Sequence, residues 1–128
     1  MYDCVGSDHM VQGASYSLGS DRNGLYMDSI SLQGGYTIFP NDVYFNSAFT
    51  IAAWVYPLSL GAWARVVDIG NGISNDNVLF AITAGTSNQM ALHLYDSGSY
   101  ALIVQATSSV TIGAWQFLTT TYDGYTGR

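Results

Sequence analysis

The sequence predicts an all-β protein, a two-layer β-sandwich, and three observations carry that expectation. The 128-residue chain is 48% hydrophobic, yet only 9% of its residues are charged, against roughly 25% in an average soluble protein. Its acidic residues are all Asp and its basic residues all Arg, so two of the best helix formers, Glu and Lys, are missing. In their place stand 14 Gly, 10 Tyr and many Ser, Thr and Asn, a mixture that favours strands and tight turns. Finally, segments of period-two alternation recur at short intervals between turn formers, with no helical periodicity. A chain of this length holds one core, and a second domain is not expected.

Residues 1–28 carry little periodicity and several turn formers, including "SDRNG" from Ser20 to Gly24. They read as an N-terminal arm with at most one or two short strands, ahead of a sandwich domain over 29–128. Within that domain "SISL" (29–32) and "YTIF" (36–39) alternate on either side of Gly34-Gly35, the pattern of a hairpin bent at the two glycines.

Six further strands follow, over 49–56, 63–69, 78–83, 90–95, 100–106 and 115–122. The loops "GNGISNDN", "AGTSNQ" and "DSGS" between them are rich in residues that supply positive φ or cap turns. The strand "FTIAAWVYP" is apolar on both faces. Phe49, Ile51, Ala53 and Val55 point one way and Ala52, Trp54 and Tyr56 the other, as expected of an inner strand covered on both sides. In the strand 90–95, Met90, Leu92 and Leu94 form an inward face opposite Ala91, His93 and Tyr95. In the next, Tyr100, Leu102, Val104 and Ala106 stand against Ala101, Ile103 and Gln105.

Charge and hydropathy exclude several functions. A net charge of −6 with three scattered arginines argues against nucleic acid as a partner, which requires a Lys/Arg surface. No apolar run approaches the ~18 residues of a membrane helix, so membrane insertion is not expected. The start "MYDCVGSDHM" lacks the basic and apolar stretches of a secretion signal, so the chain is expected to be mature or not exported. Cys4 is the single cysteine, leaving an inert thiol or an intermolecular bridge.

The run "FTIAAWVYP", then "WARVVDIGNG", "NDNVLFAIT" and "IGAWQFLTTTYDGYTG", all in order between Gln33 and Arg128, resembles the laminin-G-like group of concanavalin A-type jelly rolls. The resemblance implies a jelly-roll interaction module on the cell surface or outside the cell. In that family the "TYDG" turn leads into a further hairpin, whereas this sequence ends at Arg128. Either the sequence is an excerpt of a longer one that continues into the hairpin, or the missing pairing comes from elsewhere, since a sandwich lacking it exposes strand edges that recruit another strand. This gives the first functional expectation, a structural subunit that assembles with copies of itself into a fibre, filament or matrix by strand or arm exchange. The alternative is an adhesion module that binds a glycan or a protein, with or without calcium.

Catalysis is not expected. Glycosidases on this fold use paired carboxylates, but the chain has no Glu and no two Asp lie two or four apart within an expected strand. His9, His93 and Cys4 form no recognisable nucleophilic arrangement.

For calcium, which the resemblance implies on a rim loop, the densest oxygen supply is "DIGNGISNDN". Asp68, Asn75 and Asp76 are the candidate ligands, beside Asn71 and Asn77; the same residues are ordinary turn formers. "SDRNG", with Asp21 and Asn23, is a weaker supply, and Asp123 is expected only to cap its turn. Sugar binding would use exposed aromatic faces, for which Trp63, Tyr95, Tyr100 and Tyr125 are the candidates, with a core role also open for Trp63, whose strand places it with Val67 and Ile69. Trp54 and Trp115 occupy positions that resemble the family's structural tryptophans and are expected in the core. No Asn-x-Ser/Thr sequon occurs.

Overall fold

A computed structural model of the chain describes residues 9–42, 44, 45, 47–70, 72, 75–97 and 99–124. The described residues form ten strands and no helix, and none of their segments is a helix long and apolar enough to cross a membrane. The protein is all-β, with several antiparallel sheets. It divides into two compact units, Met1–Tyr44 and Phe45–Arg128.

The first unit contains β1 (Val11–Gln12), β2 (Ser17–Gly19), β3 (Ser29–Ser31) and β4 (Thr37–Ile38). β1 pairs with β4, and β2 with β3. The pairing is nested, so 11–19 and 29–38 run antiparallel as the two arms of one interrupted hairpin. "SISL" and "YTIF" therefore do not pair with each other, and the bend is not at Gly34-Gly35.

Asp21 explains the difference. Its Oδ1 accepts the backbone N–H groups of Asn23 and Leu25, both at 2.8 Å, its Oδ2 accepts Asn23 Nδ2 at 3.0 Å, and its own N–H donates to the Leu25 carbonyl at 2.9 Å. One side chain thus organises the turn after β2, an option that two glycines do not offer. Desolvation pushes the Asp21 carboxyl up, but the amides of Leu25 and Asn23 outweigh it and hold the group below the usual carboxylate range. Gly34 and Gly35 mark the interruption instead. Gly34 has φ 77°, and a Cβ on Gly35 would overlap the Ser15 carbonyl. Opposite them the N–H groups of Gly13 and Ala14 both donate to the Tyr36 carbonyl at 3.1 Å, two residues facing one as in a bulge.

The second unit contains β5 (Phe49–Val55), β6 (Arg65–Ile69), β7 (Val78–Ala81), β8 (Gln89–Asp96), β9 (Ser99–Ser109) and β10 (Gln116–Tyr122). These strands lie close to the six expected ones. β5 and β10 form one antiparallel ladder, from Phe49 opposite Tyr122 to Val55 opposite Gln116. The other four build a second sheet in the order β6-β7-β8-β9. Ile51 of β5, Leu118 of β10 and Phe80 of β7 form the buried cluster between the two layers, with Phe49, Val55, Val67, Val78 and Met90 packed on it. Full burial of a side chain such as Phe80, which has 0% exposure, contributes about 1.5–3 kcal/mol.

Two strands differ from expectation in what covers them. The inward face of β5 is as predicted, but its other face is open: Trp54 is 48% and Tyr56 43% exposed. Trp54 is therefore not core. It pairs across the strands with Phe117, their register partners in the ladder, and such pairs stabilise a sheet face without burial. Trp115 is half-buried, edge-on to Tyr56 at 5.6 Å. Conversely β8 is buried on both faces, Leu92 and Leu94 on one side and Ala91 and His93 on the other.

Candidate binding sites

Trp63 lies in a turn just before β6 and adopts φ 58°, a left-handed conformation costly for a bulky residue. The surrounding hydrogen bonds hold it there. The buried Thr83 hydroxyl donates to the Gly61 carbonyl at 2.7 Å and accepts Ala64 N–H at 2.9 Å. Trp63 N–H donates to the Gly85 carbonyl, and Ile82 N–H to the Ala64 carbonyl. The indole consequently stands edge-on to His93, with centroids 5.1 Å apart. His93 also lies 6.3 Å from the ring of Tyr95. Burial pushes the His93 imidazole below its ordinary value of 6.5. Of the four sugar-binding candidates, Trp63 and Tyr95 thus share a histidine. Tyr100 pairs in register with Tyr95, and Tyr125 lies outside the described residues.

A cleft of about 410 Å³ opens at the end of the sandwich where β5 begins and β10 ends. The terminal pair of one ladder, Phe49 and Tyr122, and that of the other sheet, Val78 and Leu94, both line it, with Phe45, Tyr95, Asp76 and Asn77. Phe45 packs on Phe49 at 4.4 Å and Phe49 on Tyr122 at 5.6 Å. Its size lies within the range of small-ligand sites. Sequence reading found Tyr95 and Asp76 here but missed Phe45, Phe49 and Tyr122. Phe49 and Tyr122 look like core residues by alternation, and only the strand register places both at the same open end.

The outward face of β5 and β10 is the second exposed aromatic surface. The Trp54 and Phe117 rings lie 5.3 Å apart, Phe117 is 54% exposed, and Thr50 and Thr121 share a hydroxyl hydrogen bond of 3.0 Å further along. Neither 49–57 nor 115–122 contains a charged residue. The alternation of Phe117 with the buried Leu118 was the available signal for this face.

The candidate calcium loop is engaged otherwise. Asp68 Oδ2 is in an ion pair with Arg65 Nη1 at 2.7 Å, and its Oδ1 accepts Asn77 Nδ2 at 3.5 Å. Asp76 Oδ1 accepts the Ser97 N–H at 2.9 Å, and Asn75 N–H donates to Asn77 Oδ1. Asn71 lies outside the described residues. A guanidinium on the strongest ligand opposes a cation, and calcium needs six to eight oxygens. Among the described residues no three His, Cys, Asp or Glu side chains come together. Asp21 is equally committed to its turn. Cys4 lies outside the described residues, and with it any pairing with His9.

A two-layer antiparallel sandwich that presents aromatic side chains at a rim cleft and on an uncovered sheet face is a jelly-roll domain built for contact. The family model of the concanavalin A-like lectin/glucanases superfamily, laminin G type, matches residues 32–128, and the chain belongs to this family. Domains of this kind are typically non-catalytic binding modules. No curated protein and no solved structure matches the chain.

Proposed function

We propose that the protein is a non-catalytic, extracellular interaction module that associates with copies of itself into a fibre or matrix through the outward face of β5 and β10. The observation that carries this reading is the exposed Trp54–Phe117 pair on a face without charge. Aromatic residues are enriched and charged ones depleted at the centres of protein interfaces. The two strands pair only with each other among the described residues, so both edges also offer backbone groups to an added strand. The extracellular setting is supported by the family alone.

Light scattering and electron microscopy of the 128-residue chain across a concentration series test the reading. The mass is expected to grow with concentration, and Trp54→Ser combined with Phe117→Ser to keep the chain monomeric. A monomer at every concentration, or association untouched by both substitutions, would overturn it.

A second reading, a glycan- or protein-binding adhesion module, is favoured by the cleft and by Trp63. Calcium enters it only if the ion displaces Arg65 from Asp68, and a rise in melting temperature on adding Ca²⁺ would report that.

A further inference from the structure

The cleft at the end of the sandwich has a chemistry of its own. Phe45, Phe49, Tyr95 and Tyr122 supply aromatic rings from three separate chain segments, and Asp76 supplies the single charged group among the described lining residues. No Arg or His is among the lining residues, and of the two arginines in this unit Arg65 is bound to Asp68 while Arg128 lies outside the described residues. The negative charge of Asp76 therefore has no cation within the described lining. The Ser97 amide fixes one of its oxygens at 2.9 Å, and Asp76 itself has φ 53°, a conformation that Asp tolerates better than most residues.

Aromatic rings beside a carboxylate attract a soft organic cation twice, through the ring quadrupoles and through charge. A neutral sugar would use the rings but would gain little from an ion. The net charge of −6 further concentrates cations at the surface. We infer that this cleft binds a methylated alkylammonium group, with Asp76 as its counter-ion and the rings of Phe49, Tyr95 and Tyr122 as its walls. The site is separate from the β5–β10 face and does not depend on self-association.

The test is a chemical-shift titration of the folded chain with tetramethylammonium chloride, against sodium chloride at equal ionic strength and against tert-butanol, which has similar bulk and no charge. Saturable shifts at the amides of Asp76, Asn77 and Gly124 are expected with the ammonium ion, at least about ten-fold stronger binding than for tert-butanol, and a loss of about ten-fold in Asp76→Asn. Asparagine keeps the size, tolerates the left-handed backbone and still accepts the Ser97 amide, so the variant retains the local fold. Tyr95→Leu is expected to weaken binding by a similar factor, and circular dichroism checks that both variants are folded. Free trimethyllysine and a peptide carrying it then tell a small ligand from a protein-borne one, and tighter binding of either supports the site. Equal binding of tert-butanol, indifference to Asp76→Asn, or no saturable shift in a folded chain would overturn the proposal.

Discussion

The indole of Trp63 stands perpendicular to the imidazole of His93, at 89° and with centroids 5.1 Å apart. The two residues come from different stretches of chain, a turn in a left-handed conformation and the buried central strand β8. The contact therefore joins a costly backbone to a buried polar ring. Each side of it can be tested.

Replacing Trp63 by Ala is expected to destabilise the fold by about 2 kcal/mol, less than the ~3–5 kcal/mol of a fully buried aromatic because the ring is partly exposed. It would also move the His93 pKa back up toward 6.5 as water reaches the imidazole, which a histidine NMR titration would read. Trp63→Gly is expected to cost about 1 kcal/mol less than Trp63→Ala, since glycine takes the left-handed φ without penalty. Urea denaturation of both variants measures the difference.

Stability should also depend on pH through His93. Burial lowers its folded pKa below the ordinary 6.5, so between those two values the unfolded chain holds a proton that the folded chain does not. The contribution is complete above about pH 6.5 and is lost as pH falls through the folded pKa. Melting temperature measured against pH should decline over that window, and His93→Leu should remove this part of the decline. A wild-type curve that is flat there would refute the assignment.

Thr83 is 2% exposed and joins Gly61 to Ala64 beneath the Trp63 turn. Thr83→Val keeps the shape and deletes the hydroxyl, leaving both backbone groups without this partner. A loss of about 1–3 kcal/mol is expected, together with a red shift of Trp63 fluorescence, followed in a background where Trp54 and Trp115 are replaced by Phe.

In the first unit, Asp21→Ala removes the acceptor of the Asn23 and Leu25 amides. Those two protons are expected to exchange faster with solvent in the variant, while amides in β7 and β8 keep their protection. Equal exchange at Asn23 and Leu25 in both proteins would mean that the turn is set by something other than this carboxylate.

The sequence by itself determined the all-β class, the strands of the sandwich and the inward face of β5. Each depends on local chemistry: the lack of Glu and Lys, turn formers at the bends, and the two-residue period of Phe49, Ile51, Ala53 and Val55. Strand pairing lay beyond it. "SISL" and "YTIF" flank two glycines as a hairpin would, but the side chain of Asp21 closes a different turn and each segment finds a partner further back in the chain.

Burial of the outer faces was also decided only by the tertiary structure. Alternation says that Trp54 points opposite to Val55 and His93 opposite to Leu92, without saying what lies beyond either face. Trp54 ended exposed beside Phe117, whereas His93 was buried under Trp63, because layer stacking and the Trp63 turn bring together residues distant in sequence. The cleft has the same origin: its aromatic residues share one end of the sandwich through the registers of two separate ladders.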